Sequence, residues 1–455
     1  MASTATNARN QGRPDNRTFL TTAPVGKVIS TMAVPTVVSM LVTSIYNIAD
    51  TYFVGLINTQ ATAAVGVVFP VMSIIQAIGF FFGQGSGTYI SRKLGAEEKH
   101  DADLRASTAF FSALASGLLV TLLGLAWLRP LSRALGSTPT ILPYTIDYLG
   151  VILLGAPLMT CSMVLNNQMR FQGNAGKAMF GMLAGAGMNL ILVPLFIFGF
   201  KMGILGCAIG TVLAQAFGFF TLLAMSRSKE NISIKAKSFS THRIYYREIL
   251  RGGTPSLTRQ VLACISTILL NVAAGAYGDA AIAGMSIVGR LSFVIFATIL
   301  GIGQGFQPFC GFNYGAGNYE RVRKGIFYSI KLSLSFLALL CIPCFIFSPE
   351  IIYLLRHDPQ VVAVGSTAFR WQLCTYPLAA IIVVSTMALQ TSGRALMANI
   401  LSASRNGLFF IPLILILPRI FGLLGVEMCQ AVADLFSFLA TIPIMYRYLE
   451  SIRQR

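Results

Sequence analysis

Apolar runs long enough to cross a membrane recur along this chain, and they constrain its fold more than any other feature. A helix rises about 1.5 Å per residue, so roughly 20 consecutive apolar residues cross the hydrocarbon core of a bilayer. Charged residues make up only 11% of the 455 residues, whereas a soluble domain carries about 25%. Twelve candidate spans lie at 28–54, 62–90, 106–128, 145–169, 178–199, 204–226, 249–276, 281–309, 325–347, 362–391, 397–417 and 422–446. We therefore predict an all-α polytopic membrane protein.

The positions of the basic residues predict how these spans are oriented. A net charge of +18 would suggest a nucleic-acid partner for a soluble protein, but here Lys and Arg lie between the apolar runs rather than in one patch. With an even number of spans both termini are on one side. The terminal segments and loops of that side hold 24 Lys and Arg residues, against five on the other side. The positive-inside rule therefore predicts that both termini are cytoplasmic, and we predict no nucleic-acid partner.

An internal repeat of 220 residues organises the chain. Landmark residues that fix backbone geometry coincide at this shift: Pro35 with Pro255, Pro157 with Pro377, Gly173 with Gly393, and Gly83-Gln84-Gly85 with Gly303-Gln304-Gly305. Because each half holds six spans, both halves enter the membrane the same way, as parallel repeats do. We predict two pseudo-symmetric six-helix lobes. The predicted boundaries are a polar N-terminal tail over 1–27, an N-lobe over 28–226, a linker over 227–248, a C-lobe over 249–446 and a C-terminal tail over 447–455.

Several motifs in the same order resemble those of the multidrug and toxic compound extrusion (MATE) family, in particular its MepA-like and DinF-like branch. The segments are VPTVVSMLVTSIYNIADTYFVG (34–55), ISRKLGAEE (90–98), MRFQGNAGKAM (169–179), MNLILVPLFIF (188–198) and GIGQGFQPFCGFNYGAGNYERVRKG (301–325). The resemblance covers 28–446. It implies the MATE fold, a V-shaped bundle of twelve helices. It also implies a multi-pass monomer in a bacterial inner membrane that exports drugs and organic cations by antiport with H⁺ or Na⁺, without another cofactor.

Asp50, near the end of the first predicted span, is the leading candidate for coupling an ion to transport. A carboxylate inside a membrane is costly, so its presence favours a function. Tyr46 and Asn47 precede it by four and three residues and share its helical face. The group could hold Na⁺ through oxygen ligands, or H⁺ where burial favours the neutral carboxyl. The alternative is a residue at the membrane edge that hydrogen bonds nearby backbone.

The resemblance extends this candidate site to two later spans and also exposes two departures from the family pattern. It implies that Asn189 and Thr211 complete the cation site. At the position where the family often has an Asp before proline, this chain has Val193, and Gln172 replaces a Glu that often follows the fourth span. Val offers neither charge nor proton, and Gln only a neutral dipole. The identity of the coupling ion is therefore open at this stage.

The last predicted span carries two further acids, Glu427 and Asp434, which are seven residues apart and so share one helical face. Glu427 is either a second cation site or a hydrated residue near the extracellular end. Arg290, in the eighth span, needs a partner at its depth, and we expect an ion pair with one of these two acids.

Three glutamines are weaker candidates for contact with a transported molecule: Gln84, Gln172 and Gln304. Close helix packing is the favoured role of the two that lie between glycines. A lipid-linked precursor flippase of related fold is the competing function, and it is disfavoured because few arginines lie within the spans: Arg259, Arg290, Arg370 and Arg405. No enzymatic motif occurs in a span, and the three histidines lie in loops, so neither a catalytic nor a metal site is predicted.

Overall fold

The computed structural model describes residues 16–227, 232 and 234–454, apart from the side chains of Asn47 and Ile48. Within this part of the chain, twelve helices are long and apolar enough to cross a membrane, and we number them α1 to α12. Their bounds are Val25–Gly55, Thr59–Gly95, Lys99–Ala126, Leu142–Phe171, Ala175–Gly199, Gly203–Ser226, Arg243–Gly275, Asp279–Gly315, Tyr319–Ile346, Pro359–Thr391, Ala395–Phe421 and Leu423–Arg453. The prediction of an all-α polytopic membrane protein is confirmed.

The two lobes, α1–α6 and α7–α12, match each other closely along the chain. The bounds of α2 and α3 recur in α8 and α9 after a shift of 220 residues at both ends of each helix. A short helix, Leu128–Ala134, follows α3, and its counterpart Ser348–Leu355 follows α9. Prolines lie inside α1, α4, α7 and α10 at the shifted positions. The local sequence therefore produces the same helices and loops twice.

Helix packing repeats in the same way, and two equivalent pairs of helices join the lobes. In the N-lobe α2 packs on α3 and α4, and α6 on α4 and α5; in the C-lobe α8 packs on α9 and α10, and α12 on α10 and α11. Between the lobes, α1 packs on α8 and α7 packs on α2. Helices α2 and α8 also meet each other. Every helix of one lobe thus has a counterpart in an equivalent environment in the other.

The carboxyl ends of α2 and α8 cross at the centre of the interface between the lobes. A Cβ on Gly95 would overlap the carbonyl of Phe312, and a Cβ on Gly315 would overlap that of Arg92. These two contacts are related by the 220-residue shift. We call this side of the molecule the basic face, because α2 ends there with Arg92 and Lys93, and α9 begins there with Arg321, Arg323 and Lys324. Only glycine permits the backbones to approach this closely.

A short helix, Asn16–Thr22, lies across the basic face and touches both lobes. The Asn16 side chain donates to the Gln172 carbonyl (3.1 Å), and Arg17 pairs with Glu97 (2.7 Å), both in the N-lobe. From the C-lobe, Asn313 donates to the Leu20 carbonyl (3.0 Å) and Arg321 to the Ala23 carbonyl (2.7 Å). We call residues 16–24 the strap. The polar tail predicted over 1–27 therefore includes a helix that contacts both lobes. The sequence hides these contacts because they are mostly to backbone. Residues 1–15 lie outside the described residues.

Candidate functional site

A cavity of about 110 Å³ lies within the N-lobe between α1, α2, α4, α5 and α6. Three of the predicted site residues line it: Tyr46 from α1, Asn189 from α5 and Thr211 from α6. Its other lining residues include Thr43, Gln76, Met159, Met163, Met182 and Gln215. The structure thus brings Tyr46 and Thr211 to one cavity although they are 165 residues apart in sequence.

Asp50 adjoins this cavity, five residues before the end of α1. The Asn189 side chain hydrogen bonds to its carboxylate. Three buried oxygens in this group, Asp50 Oδ1, Asn189 Oδ1 and Thr211 Oγ1, have no hydrogen-bond partner among the described residues. Buried polar atoms without a partner are uncommon in folded proteins and call for an explanation such as an ion or a proton. The arrangement can receive a cation, because all three atoms are able to accept.

Val193 lies one helical turn after Asn189 on α5, close to this site, and it supplies no charge there. Its side chain is fully buried, and it packs with Tyr148 and Cys207. It also lies against α6, where a Cβ on Gly210 would come within 3.0 Å of the Val193 Cα, one residue from Thr211. The acid missing from the sequence is therefore missing from the site itself. The side chain of Asn47 lies outside the described part of the structure.

Two residues of the site were not anticipated. Tyr148 of α4 and Cys207 of α6 are buried and lie within electrostatic range of the Asp50 carboxylate. Tyr148 has no signal in the sequence, because its place depends on how α4 packs. Cys207 could have been found, since it lies one helical turn before Thr211 on the same face of α6.

In the C-lobe, Asp434 is held by a salt bridge rather than left free. Arg405 of α11 binds it through two contacts, Nε to Oδ1 at 2.7 Å and Nη2 to Oδ2 at 3.2 Å. Gln430 donates to the same carboxylate (2.9 Å), and the Arg405 guanidinium stacks over Phe296. Both oxygens of Asp434 are therefore occupied by donors, which opposes a role in exchanging an ion.

The expected partnership of Arg290 with one of these acids is wrong, because Arg405 takes that place. Arg290 is exposed on α8, whereas Arg405 lies in a π-helical turn, Ser404–Leu408, inside α11. Such a turn shifts the register of the side chains and turns them to a different face. A sequence read as regular α-helix cannot reveal this shift.

Glu427 is buried, with 6% of its surface exposed, which disfavours the hydrated alternative. The 220-residue shift aligns it with Cys207, the residue beside the N-lobe site. Its role in coupling remains a prediction.

The glutamines between glycines lie at the contact between the lobes, away from the N-lobe cavity. Gln84 donates to Asn167 (3.1 Å), Arg170 donates to the same Asn167 oxygen (2.6 Å), and a second nitrogen of Arg170 donates to Gln304. Gln172 accepts from the Ile232 backbone in the linker (2.7 Å) and donates to the Gln168 carbonyl (3.0 Å). These contacts favour packing roles for all three glutamines. Arg170, at the centre of this network, was not anticipated as an intramembrane arginine.

Comparison with known proteins places the chain among transporters. The MatE family model matches residues 35–195 and 255–416. Multidrug export protein MepA of Staphylococcus haemolyticus is 28% identical over 435 residues, which cover 94% of each chain, and MepA of Staphylococcus aureus (strain MRSA252) is 29% identical over 427 residues. An outward-facing multidrug resistance MATE transporter of the MOP superfamily superposes with a TM-score of 0.92 at 24% identity, over 98% of this chain and 100% of the other. A MOP superfamily transporter from Pyrococcus furiosus superposes with a TM-score of 0.91 at 25% identity.

Proposed function

The chain belongs to the MatE family of membrane transporters, and from that premise we propose that it exports amphipathic small molecules, many of them organic cations, by antiport with H⁺. Relatives that match 94% of their own length with this chain are multidrug export proteins. The adaptable side chains in the N-lobe cavity, among them Met159, Met163 and Met182, suit a binding surface that accepts varied ligands.

The partly buried carboxylate of Asp50 carries the proposal. It lies beside Asn189 and Thr211, with one of its oxygens unpartnered, in a lobe where Val193 removes the second acid. Na⁺ prefers several oxygen ligands with net negative charge, and Asn189 and Thr211 supply oxygen without charge. A single carboxylate in apolar surroundings instead favours exchange of a proton, which neutralises it.

Helix α1 offers a route from this carboxylate to movement of the lobes. It packs on α5 within its own lobe and on α8 of the other lobe. Protonation of Asp50 alters the charge at the end of α1 that is far from the basic face. The energy of packing α1 against either lobe then depends on whether a proton is bound, and such a differential interaction is what alternating access requires.

We further propose that one chain acts as a monomer in a bacterial inner membrane with the basic face in the cytoplasm. The 24-to-5 distribution of Lys and Arg supports this orientation. Both halves of the pathway are present in one chain, so transport needs no second copy. A cysteine introduced at position 10 should then resist labelling from outside intact cells, and ready external labelling would refute the orientation.

Transport in vesicles under separate gradients tests the proposal. Purified protein in proteoliposomes should move ethidium when ΔpH alone is imposed and should not respond to ΔNa⁺ alone. Asp50→Asn should abolish the response to ΔpH while ethidium binding survives in part. Asp147→Asn is the matched control, since it removes an exposed acid near the start of α4. Full ΔpH-driven transport by Asp50→Asn, or wild-type transport that follows Na⁺ and ignores ΔpH, would refute H⁺ coupling at this site.

A further inference from the structure

Arg170 is a buried cation at the junction of the lobes, and no acid among the residues that the structure describes forms an ion pair with it. Its side chain is 2% exposed. Its hydrogen bonds reach the neutral oxygens of Asn167 in the N-lobe and Gln304 in the C-lobe, and its Nε has no partner among the described residues. A guanidinium buried with only amide partners retains its full positive charge in a medium of low dielectric constant.

A second arginine, Arg259 of α7, lies within electrostatic range of Arg170 and adds to the charge. It follows Gly252 and Ser256 on one face of α7. Gly252 packs against Gly85 of the N-lobe, and Ser256 receives a hydrogen bond from Gln390 (2.9 Å). Arg259 lies one turn farther from the basic face than Ser256 does, and it is partly exposed.

Within the described part of the chain, no Asp or Glu forms an ion pair with either guanidinium. The contrast with Arg405 is direct, since that arginine is neutralised by Asp434. Two like charges held close together in a desolvated region repel each other, and an anion between them would relieve that repulsion and supply the missing acceptors. The unpartnered Nε of Arg170 is one of the donors that an anion would use.

We propose that Arg170 and Arg259 form a binding site for an oxyanion, a carboxylate, sulfonate or phosphate, on an amphipathic molecule that enters the space between the lobes. Arginine suits this task because its planar donors match the geometry of such groups. The inference rests on the proposed export function only in that such molecules would then be transported. It widens the ligand class from organic cations to amphiphiles that carry an anionic group.

Two xanthene dyes of opposite charge separate this site from general apolar binding. Carboxyfluorescein is anionic and rhodamine 6G is cationic, and their binding to purified protein in phosphatidylcholine nanodiscs can be followed by fluorescence anisotropy without any ion gradient. Arg259→Gln should weaken carboxyfluorescein binding about tenfold, as expected for one charge-assisted hydrogen bond, and leave rhodamine 6G binding unchanged or tighter. Arg259→Lys should retain most of the affinity for the anionic dye.

Arg370→Gln is the matched control, because it removes an exposed arginine of α10 that donates to the Phe345 carbonyl. It should alter the affinity for neither dye. The site is refuted if wild-type protein does not bind carboxyfluorescein, if Arg259→Gln binds it as wild type does, or if Arg259→Gln weakens both dyes equally. If wild-type protein binds both dyes as expected but does not transport ethidium under ΔpH, only the proposed coupling to H⁺ is refuted.

Nanodiscs that contain phosphatidylglycerol distinguish a lipid headgroup from a soluble ligand at the same arginines. If the headgroup occupies the site, the anionic lipid should weaken carboxyfluorescein binding to wild type more than to Arg259→Gln. If a soluble molecule is the ligand, the lipid should weaken binding to both proteins equally, through repulsion at the membrane surface. Either pattern, together with the dependence on Arg259, supports an oxyanion site.

Discussion

The two lobes share their helices and their packing but treat buried carboxylates differently. In the N-lobe, Asp50 has a neutral amide beside it and an oxygen without a partner. In the C-lobe, Asp434 has a bidentate arginine and a glutamine, which occupy both of its oxygens. One lobe therefore leaves a carboxylate oxygen without a partner among the described residues, whereas the other occupies both oxygens of its carboxylate with donors.

This difference teaches that pseudo-symmetry of the backbone does not extend to the chemistry. The 220-residue shift aligns Asp50 with Leu270 and Thr211 with Ala431, so the C-lobe lacks the polar partners of the N-lobe site. It aligns Glu427 with Cys207 instead. A duplicated scaffold can thus carry a carboxylate beside a neutral amide in one half and a structural ion pair in the other.

The largest effect should come from breaking the C-lobe ion pair. Asp434→Asn leaves the Arg405 charge buried without a counterion, and removing one partner of such a pair typically costs about 3 kcal/mol or more of folding free energy. Asp50→Asn removes no ionic partner and should change stability by less than about 1 kcal/mol. Thermal unfolding in nanodiscs should therefore give a much lower midpoint for Asp434→Asn than for Asp50→Asn.

The double variant Asp434→Asn with Arg405→Gln removes both charges and should recover most of the lost stability. Equal melting temperatures for Asp434→Asn and Asp50→Asn would mean that the two carboxylates contribute equally to stability, contrary to what their contacts indicate.

The next largest effect is expected in how Na⁺ changes the melting temperature. Val193→Asp places a second carboxylate close to the N-lobe site, one helical turn after Asn189 and beside the α6 backbone at Gly210. Two acids with the oxygens of Asn189 and Thr211 form a set that suits Na⁺. The variant should melt at a higher temperature in NaCl than in KCl of equal ionic strength, because a ligand that binds the folded state stabilises it. Wild type and Val193→Asn should melt alike in both salts, and a Na⁺-specific shift shared by Val193→Asn would contradict the charge argument.

A smaller effect is expected at Glu427, whose C-lobe position has no polar partners to match those of Asp50. If the N-lobe alone couples the proton, Glu427→Gln should lower the rate of ΔpH-driven ethidium transport by less than about threefold, roughly 0.6 kcal/mol in activation free energy. The reverse pattern, with transport lost in Glu427→Gln and retained in Asp50→Asn, would move the coupling site to the C-lobe.

The sequence predicted the fold and much of the N-lobe site because both leave local or periodic signals. Span length, the repeat and an intramembrane acid can be read from single segments, and the family motifs supplied Asn189 and Thr211. The π-helical turn that directs Arg405 to Asp434 gives no such signal, and Tyr148 reaches the site only through the packing of α4. Arg170 falls just outside the fourth predicted span, 145–169, because it lies at the end of a helix, where exposure depends on how the other lobe packs against it.

The smallest effect is expected at the strap. This segment contacts both lobes, so the strength of its contacts with each lobe can be compared directly. On the N-lobe side, Arg17 forms an ion pair with Glu97 whose side chains are 38% and 68% exposed, and its Nε donates a long hydrogen bond to the Gly95 carbonyl (3.3 Å). Exposed pairs of this kind contribute at most about 1 kcal/mol. On the C-lobe side, Arg321 donates to the Ala23 carbonyl and to Asn313 (2.7 and 3.0 Å), and Asn313 is fully buried.

The C-lobe should therefore hold the strap more firmly than the N-lobe does. Arg321→Gln should raise the rate of backbone hydrogen exchange in residues 16–24 by about tenfold, since a charge-assisted hydrogen bond to a carbonyl is lost, whereas Arg17→Gln should raise it by less than about threefold. Arg323→Gln is the matched control, because it removes an exposed arginine two residues away on the same helix and should leave exchange unchanged. Exchange measured by mass spectrometry in nanodiscs gives all three values in one experiment. If Arg17→Gln releases the strap more than Arg321→Gln does, the surface ion pair is the stronger tether. Release of the strap would then depend mainly on its contact with the N-lobe. The difference between the lobes that is seen at their carboxylates would not extend to the basic face.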